Sequence, residues 1–75
     1  MKKGDLLKII GKNIKQARQS KNMAQVDLAV RMEGKIDTTN ISRIEAGRTN
    51  PTIYTLHRIS IALEVPLEDL IHIEE

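Results

Sequence analysis

Apolar positions recur at helical spacing in five stretches of this chain, and polar, glycine or proline breaks separate them. From Asp5 to Lys21 the residues Leu7, Ile10, Ile14 and Ala17 mark one face of a first helix, with Asp5 placed to cap it and Gly11 a weak point inside it. Asn22 suits the left-handed conformation that ends such a helix, and Met23 can then turn back into the core. A short second helix over about 25–32 buries Leu28, Ala29 and Met32. After the turn Glu33-Gly34-Lys35-Ile36, Asp37 caps a third helix over about 38–45 that buries Ile41 and Ile44, and Gly47 stops it. Thr52 caps a fourth helix, 53–63, whose inward face is Ile53, Leu56, Ile59, Ala62 and Leu63. Pro66 forces Val65 toward an extended conformation and suits the first turn of a last short helix carrying Leu67, Leu70 and Ile71. No stretch alternates as a strand would, so the expectation is an all-α fold of five helices. No repeat or linker divides it, which predicts a single domain over 1–75.

Composition sharpens this picture. Forty per cent of the 75 residues are hydrophobic and Tyr54 is the single aromatic, so the core must be aliphatic and thin. A chain of this size buries only about 60% of its unfolded surface, which makes a second subunit a natural source of stability. There is no cysteine, hence neither a disulfide nor a thiolate metal site, as a reducing cytosol would allow. Asp5, Lys8 and Lys12 interrupt any signal-peptide core, and no apolar run is long enough to span a membrane. The expected location is therefore cytoplasmic.

The net charge of +2 conceals an uneven distribution. Lys2, Lys3, Lys8, Lys12, Lys15, Arg18 and Lys21 oppose only Asp5 in the first segment, whereas Glu64, Glu68, Asp69, Glu74 and Glu75 are the only charged side chains of the last stretch apart from histidine. One pole can face phosphate while the other is turned away from it. Solubility of the first helix accounts for any one of these lysines equally well.

Between Ala24 and Pro51 the two short helices and their turn read as a helix-turn-helix. Gln25, Leu28-Ala29, Ile41-Ser42, Ile44-Glu45, Gly47 and Asn50-Pro51 stand in one register, and in this the chain resembles the Cro/cI-type (xenobiotic-response-element) family of helix-turn-helix regulators. The resemblance runs from about Ile10 to Ile71. It implies a five-helix lambda-repressor-like DNA-binding domain, double-stranded DNA as partner, and a transcriptional regulator, expected to be a repressor, that acts as a homodimer on a palindromic operator. The rival expectation is a protein-interaction module, an antitoxin-like partner for another protein.

The third helix is the candidate recognition helix. Asn pairs bidentately with adenine and Arg with guanine, and a Thr methyl can touch the thymine methyl, so Thr38, Thr39, Asn40 and Arg43 are the candidate base contacts. Asn40 has an alternative role in bonding to local backbone, and Arg43 one in reaching phosphate alone. The resemblance implies phosphate contacts from Gln25 and from the loop Arg48, Thr49 and Asn50. Ser42 and Lys35 join them as candidates, and Lys12, Lys15 and Arg18 are further ones. It also implies an ion pair between Arg18 and Glu45, which competes for Arg18 and makes Glu45 structural.

Three features depart from that pattern or add to it. Ala24 stands where the family usually has a capping Ser or Thr, at a cost of about 1 kcal/mol. The turn Glu33-Gly34-Lys35 is longer than the family's, which leaves open whether the second helix lengthens or Lys35 becomes an added phosphate contact. Glu64 replaces the usual Gly or Asn at the end of the fourth helix, so that end is expected to be strained or to continue differently. Tyr54, His57 and Ile61 share an outer face of the fourth helix and, with Ile71 and Ile73, form either a dimer face or a small satellite cluster over the core. His57 and His72 have no ligand partners at metal-binding spacing, so no metal or cofactor is expected. Dispersed acids, isolated serines and the lack of a glycine-rich phosphate loop give no enzyme constellation.

Overall fold

A computed structural model describes residues 1–33 and 35–74. Five helices follow one another: α1 (Lys3–Ser20), α2 (Gln25–Arg31), α3 (Thr38–Glu45), α4 (Ile53–Leu63) and α5 (Leu67–Ile71). Among the described residues there is no strand. One aliphatic cluster holds the helices together, with Ile14, Leu28, Ile41, Ile59, Leu63 and Leu70 at its fully enclosed centre. α1 packs against α3 and α5, while α2 packs against α3 and α4. The long first helix thus spans the bundle behind the two motif helices.

Local chemistry accounts for the helix ends. Asp37 accepts the Asn40 backbone N–H at 2.7 Å, and Thr52 accepts that of Thr55 at 3.0 Å, so α3 and α4 start on side-chain caps. Ala24 has no side-chain oxygen to offer, but Asp27 reaches back to the Ala24 N–H at 2.8 Å and supplies half of a reciprocal cap for α2. Asn22 and Gly47 adopt left-handed φ values of 57° and 73° after α1 and α3, which releases the chain into the next element. Met23, just beyond Asn22, is buried.

Several expectations are corrected. α1 begins at Lys3, two residues ahead of Asp5; its N-cap, Lys2, makes no side-chain bond, and Asp5 lies in the first turn, where an acid favours the helix dipole. Because α1 packs on both α3 and α5, its buried arc is wide: Leu6 packs against the core, while Leu7 is only half-buried. Ile53 is 66% exposed. As the first residue of α4, its side chain leans toward the helix start and past the end of the core. The longer turn leaves α2 short, since Glu33 takes a left-handed φ of 58° and its N–H bonds the Val30 carbonyl. Gly34 in that turn, and Glu75 at the acidic end, lie outside the described residues.

Gly11 is the largest correction. It is buried where α1 crosses α3, and a β-carbon there would lie 2.4 Å from the carbonyl oxygens of both Ile44 and Glu45. The residue that weakens α1 locally is the one that lets the two helices touch. Gly11→Ala should therefore destabilise the fold by about 1–3 kcal/mol, against a helix-propensity gain of about 1 kcal/mol; urea denaturation reads the difference, and a stabilised variant would contradict this contact.

Glu64 ends α4 in the left-handed region at φ 58°, the strained outcome anticipated for that position. Its compensating contact, an exposed pair with Arg31 at 3.4 Å, is worth little. Glu64→Gly should raise the thermal midpoint, by relief of about 1 kcal/mol; an unchanged or lower midpoint would mean the pair with Arg31 matters more than the backbone.

Candidate nucleic-acid interface

α3 reaches the surface because its apolar positions Ile41 and Ile44 are four and one residues from its end and point inward, leaving the intervening positions outside. Thr38, Thr39, Asn40, Ser42 and Arg43 are all exposed. Asn40 makes its local bond through its backbone N–H to Asp37. Past the end of α3 the Arg48 N–H bonds the Arg43 carbonyl, which ties the loop to the helix. Arg48 and Asn50 are exposed and Thr49 is half-buried. Lys35, Asn40, Thr49 and Asn50 line one shallow cleft between the start of α3 and the start of α4. The long turn therefore delivers Lys35 to the same side of the molecule as the loop after α3.

Behind this surface lies a buried polar network. Arg18 donates from Nε to Glu45 Oε2 at 2.7 Å and from Nη2 to Glu45 Oε1 at 2.9 Å, a bidentate pair. Its Nη1 donates to the Met23 carbonyl. Both charged side chains are less than one-tenth exposed. The Arg18 guanidinium is held above its ordinary pKa, first by the hydrogen bond to Glu45 and then by its charge, against the opposing effect of burial. A raised pKa contributes stability below the unfolded-state value and loses it only as pH climbs through the folded one, so Arg18 keeps its charge, and its share of this stability, until the solution is strongly alkaline.

Gln25 belongs to the same network. It is half-buried, and its Nε2 donates to Glu45 Oε1 at 3.0 Å. α1, the first residue of α2 and the last residue of α3 are thus joined through one carboxylate, and Arg18 ties in the loop before α2. Nothing in the residue spacing announced the Gln25 bond, which needs the two helices in place. Asn13 was also missed: its Nδ2 donates to the carbonyls of Leu70 and His72 and closes the open end of α5 against α1. A further surprise is Val26 and Val30, 56% and 71% exposed on the outer face of α2.

The other predicted residues divide. Tyr54, His57 and Ile61 are exposed on α4, joined by Ile53, and the Arg58 guanidinium lies 5.8 Å from the Tyr54 ring centroid. On the neighbouring C-terminal segment Ile71 is exposed and Ile73 is half-buried. Lys12 borders a hollow with Asn13, Gln16, His72 and Glu74, on the α5 side of α1. That places it away from the edge facing α3. Among the described residues no group of His, Asp or Glu is arranged to hold a metal ion, and no helix is long and apolar enough to cross a membrane.

Five helices, a polar exposed α3 and a short α2 braced behind it define the class: an all-α lambda-repressor-like domain built around a helix-turn-helix. The pattern of the Helix-turn-helix (HTH_3) family matches residues 14–70, and the chain belongs to that family, whose members are DNA-binding transcription regulators rather than enzymes. It is 31% identical over 67 residues, 89% of this chain and 84% of the other, to the uncharacterized HTH-type transcriptional regulator y4dJ of Sinorhizobium fredii. Among solved structures it is similar to the hypothetical transcription factor NHTF from Neisseria, with a TM-score of 0.82, 25% identity, and coverage of 95% of this chain and 79% of that one. It has the fold of the restriction-modification controller protein C.AhdI from Aeromonas hydrophila, with a TM-score of 0.78, 24% identity, and coverage of 88% and 96%. The chain is accordingly a transcriptional regulator's DNA-binding domain, with double-stranded DNA as its partner.

Removing one member of the buried pair should be far worse than removing both. Arg18→Ala leaves Glu45 charged and enclosed and should cost about 3–5 kcal/mol. The double variant Arg18→Met/Glu45→Leu should recover most of that loss in a denaturation series; equal losses in the single and double variants would show that the pair's charges are not the issue.

Proposed function

We propose that this chain reads a specific DNA sequence as a homodimer on a palindromic operator and acts there as a repressor, in the cytoplasm. The observation that carries the reading is the exposed polar face of α3, backed by a buried, fully bonded network that holds α2 and α3 at one angle. Thr38, Thr39, Asn40 and Arg43 enter the major groove and meet base edges. Gln25, Lys35, Ser42, Arg48, Thr49 and Asn50 meet phosphates and set the register. Gln25 does so while one of its amide hydrogens stays on Glu45. Arg18 is spoken for by Glu45 and serves the frame.

The exposed Tyr54, His57, Ile61 and Ile71, with the half-buried Ile73, form the dimer face. It is largely apolar, most of it on a helix whose other side already fills the core, and covering it would add the buried area that so small a domain lacks. Two-fold symmetry then sets the half-sites about 34 Å apart. Val26 and Val30 favour a second reading, in which α2 also presents an apolar patch to a protein partner, the antitoxin-like alternative.

Selection of bound duplexes from a random pool at near-physiological salt tests the proposal, and the expected product is an inverted repeat. Asn40→Ala should reorder the affinities of operator variants, with a loss of about 1–3 kcal/mol at one base pair. Arg48→Ala should weaken all sequences alike and reduce the slope of log affinity against log salt by about 1. Unbiased recovered sequence would sink the reader and leave the protein-interaction role; an unchanged ranking with Asn40→Ala would remove that residue from the base contacts.

A further inference from the structure

Two lysines of α1 are surface neighbours of Gly11. On a helix of 3.6 residues per turn, positions three before and four after a residue are its surface neighbours. For Gly11 those positions are Lys8 and Lys15, and Gly11 is where α1 presses on the Ile44 and Glu45 carbonyls. Lys8 and Lys15 therefore border the α1–α3 contact from the two adjacent turns, and both are exposed. An independent contact agrees: a β-carbon on Gly47 would strike Lys8, 2.7 Å from its Cγ, so the Lys8 stem lies on the loop that leads into Arg48. Lys12, four residues after Lys8 and three before Lys15, lies on the same side of the helix but further round, toward His72 and Glu74.

Along the α3 edge, the sequence of groups is Gln25 on Glu45, then Lys15, then Lys8 against Gly47, with no acid exposed between the two lysines on their stripe. Seven residues of helix separate the lysines by about 10 Å, the axial span of roughly three phosphates of one strand. We propose that Lys15 and Lys8 form a phosphate-binding track that continues outward from the helix-turn-helix and grips the duplex flanking each half-site. This rests on the DNA-binding reading above and extends it: the flank is held by charge, without regard to its sequence, and lengthens the footprint beyond the bases that α3 reaches.

The test compares two duplexes carrying the selected site, one ending at its outer base pair and one extended by a helical turn of flanking sequence on each side. Fluorescence anisotropy titrations of the full chain across a salt series read affinity and slope. The wild-type chain should bind the extended duplex more tightly and with a steeper salt dependence. Lys8→Gln/Lys15→Gln should abolish that gain, with the slope on the extended duplex falling by about 0.9 for each phosphate no longer neutralised. The charge-conserving Lys8→Arg/Lys15→Arg should retain it.

No gain from the flanks in the wild-type chain would overturn the track while leaving the DNA reading standing. A retained gain in Lys8→Gln/Lys15→Gln would do the same. If that variant instead lost thermal stability and kept the flank gain, the lysines would be serving the negative end of α3. Failure of the wild-type chain to bind either duplex would remove the DNA reading itself.

Discussion

The arrangement of this domain depends on one enclosed ion pair and the glycine beside it. Arg18 and Glu45 come from α1 and α3, and they meet in two-pronged geometry because Gly11, two turns along α1 from Arg18, has no β-carbon to hold the helices apart. Buried charges are unfavourable unless every hydrogen-bonding group is matched. Here the third nitrogen of Arg18 finds the Met23 carbonyl and Glu45 takes Gln25 as well. Among the described residues no buried side-chain nitrogen or oxygen lacks a partner. Such a pair adds little net stability over an apolar replacement, but it tolerates few alternative angles. Its contribution is a fixed relation between α2 and α3, the two helices of the helix-turn-helix.

Around that constraint the helices are held by small local devices. Asp37, Thr52 and Asp27 satisfy N–H groups at three helix starts, and Asn13 satisfies carbonyls at the end of α5. Two side chains reach across α2 and α4 in the same way: Arg31 donates to the Ala62 carbonyl and Arg58 to that of Met32. Each fastens one helix to the open end of another. α2 and α5, at seven and five residues, would not persist alone. They exist as helices because their buried residues, Leu28 and Leu70 above all, belong to the shared core.

The division of charge acquires meaning only in three dimensions. Lysines that look like one basic segment in the chain meet different neighbours in space: Lys8 lies against Gly47 after α3, and Lys12 borders a hollow with His72 and Glu74. The acids at Glu68 and Asp69 lie in the first turn of α5, where they favour the helix dipole.

Residue order alone determined the existence and type of all five helices, most of the core, the caps at Asp37 and Thr52, and the left-handed exits at Asn22 and Gly47. Each of these is a local property: apolar spacing, side chains that compete for nearby N–H groups, and residues that tolerate positive φ. The partnership of Arg18 with Glu45 was legible only through likeness to a family. What tertiary structure decided was every relation between distant segments. It turned Gly11 from a flaw into a contact, placed Gln25 on Glu45 and Asn13 on α5, moved Ile53 outside, and kept α2 short despite its longer turn. The physical reason is the same in each case: a side chain's neighbours across a helix crossing depend on angle and approach distance, which packing sets and which a one-dimensional pattern does not contain.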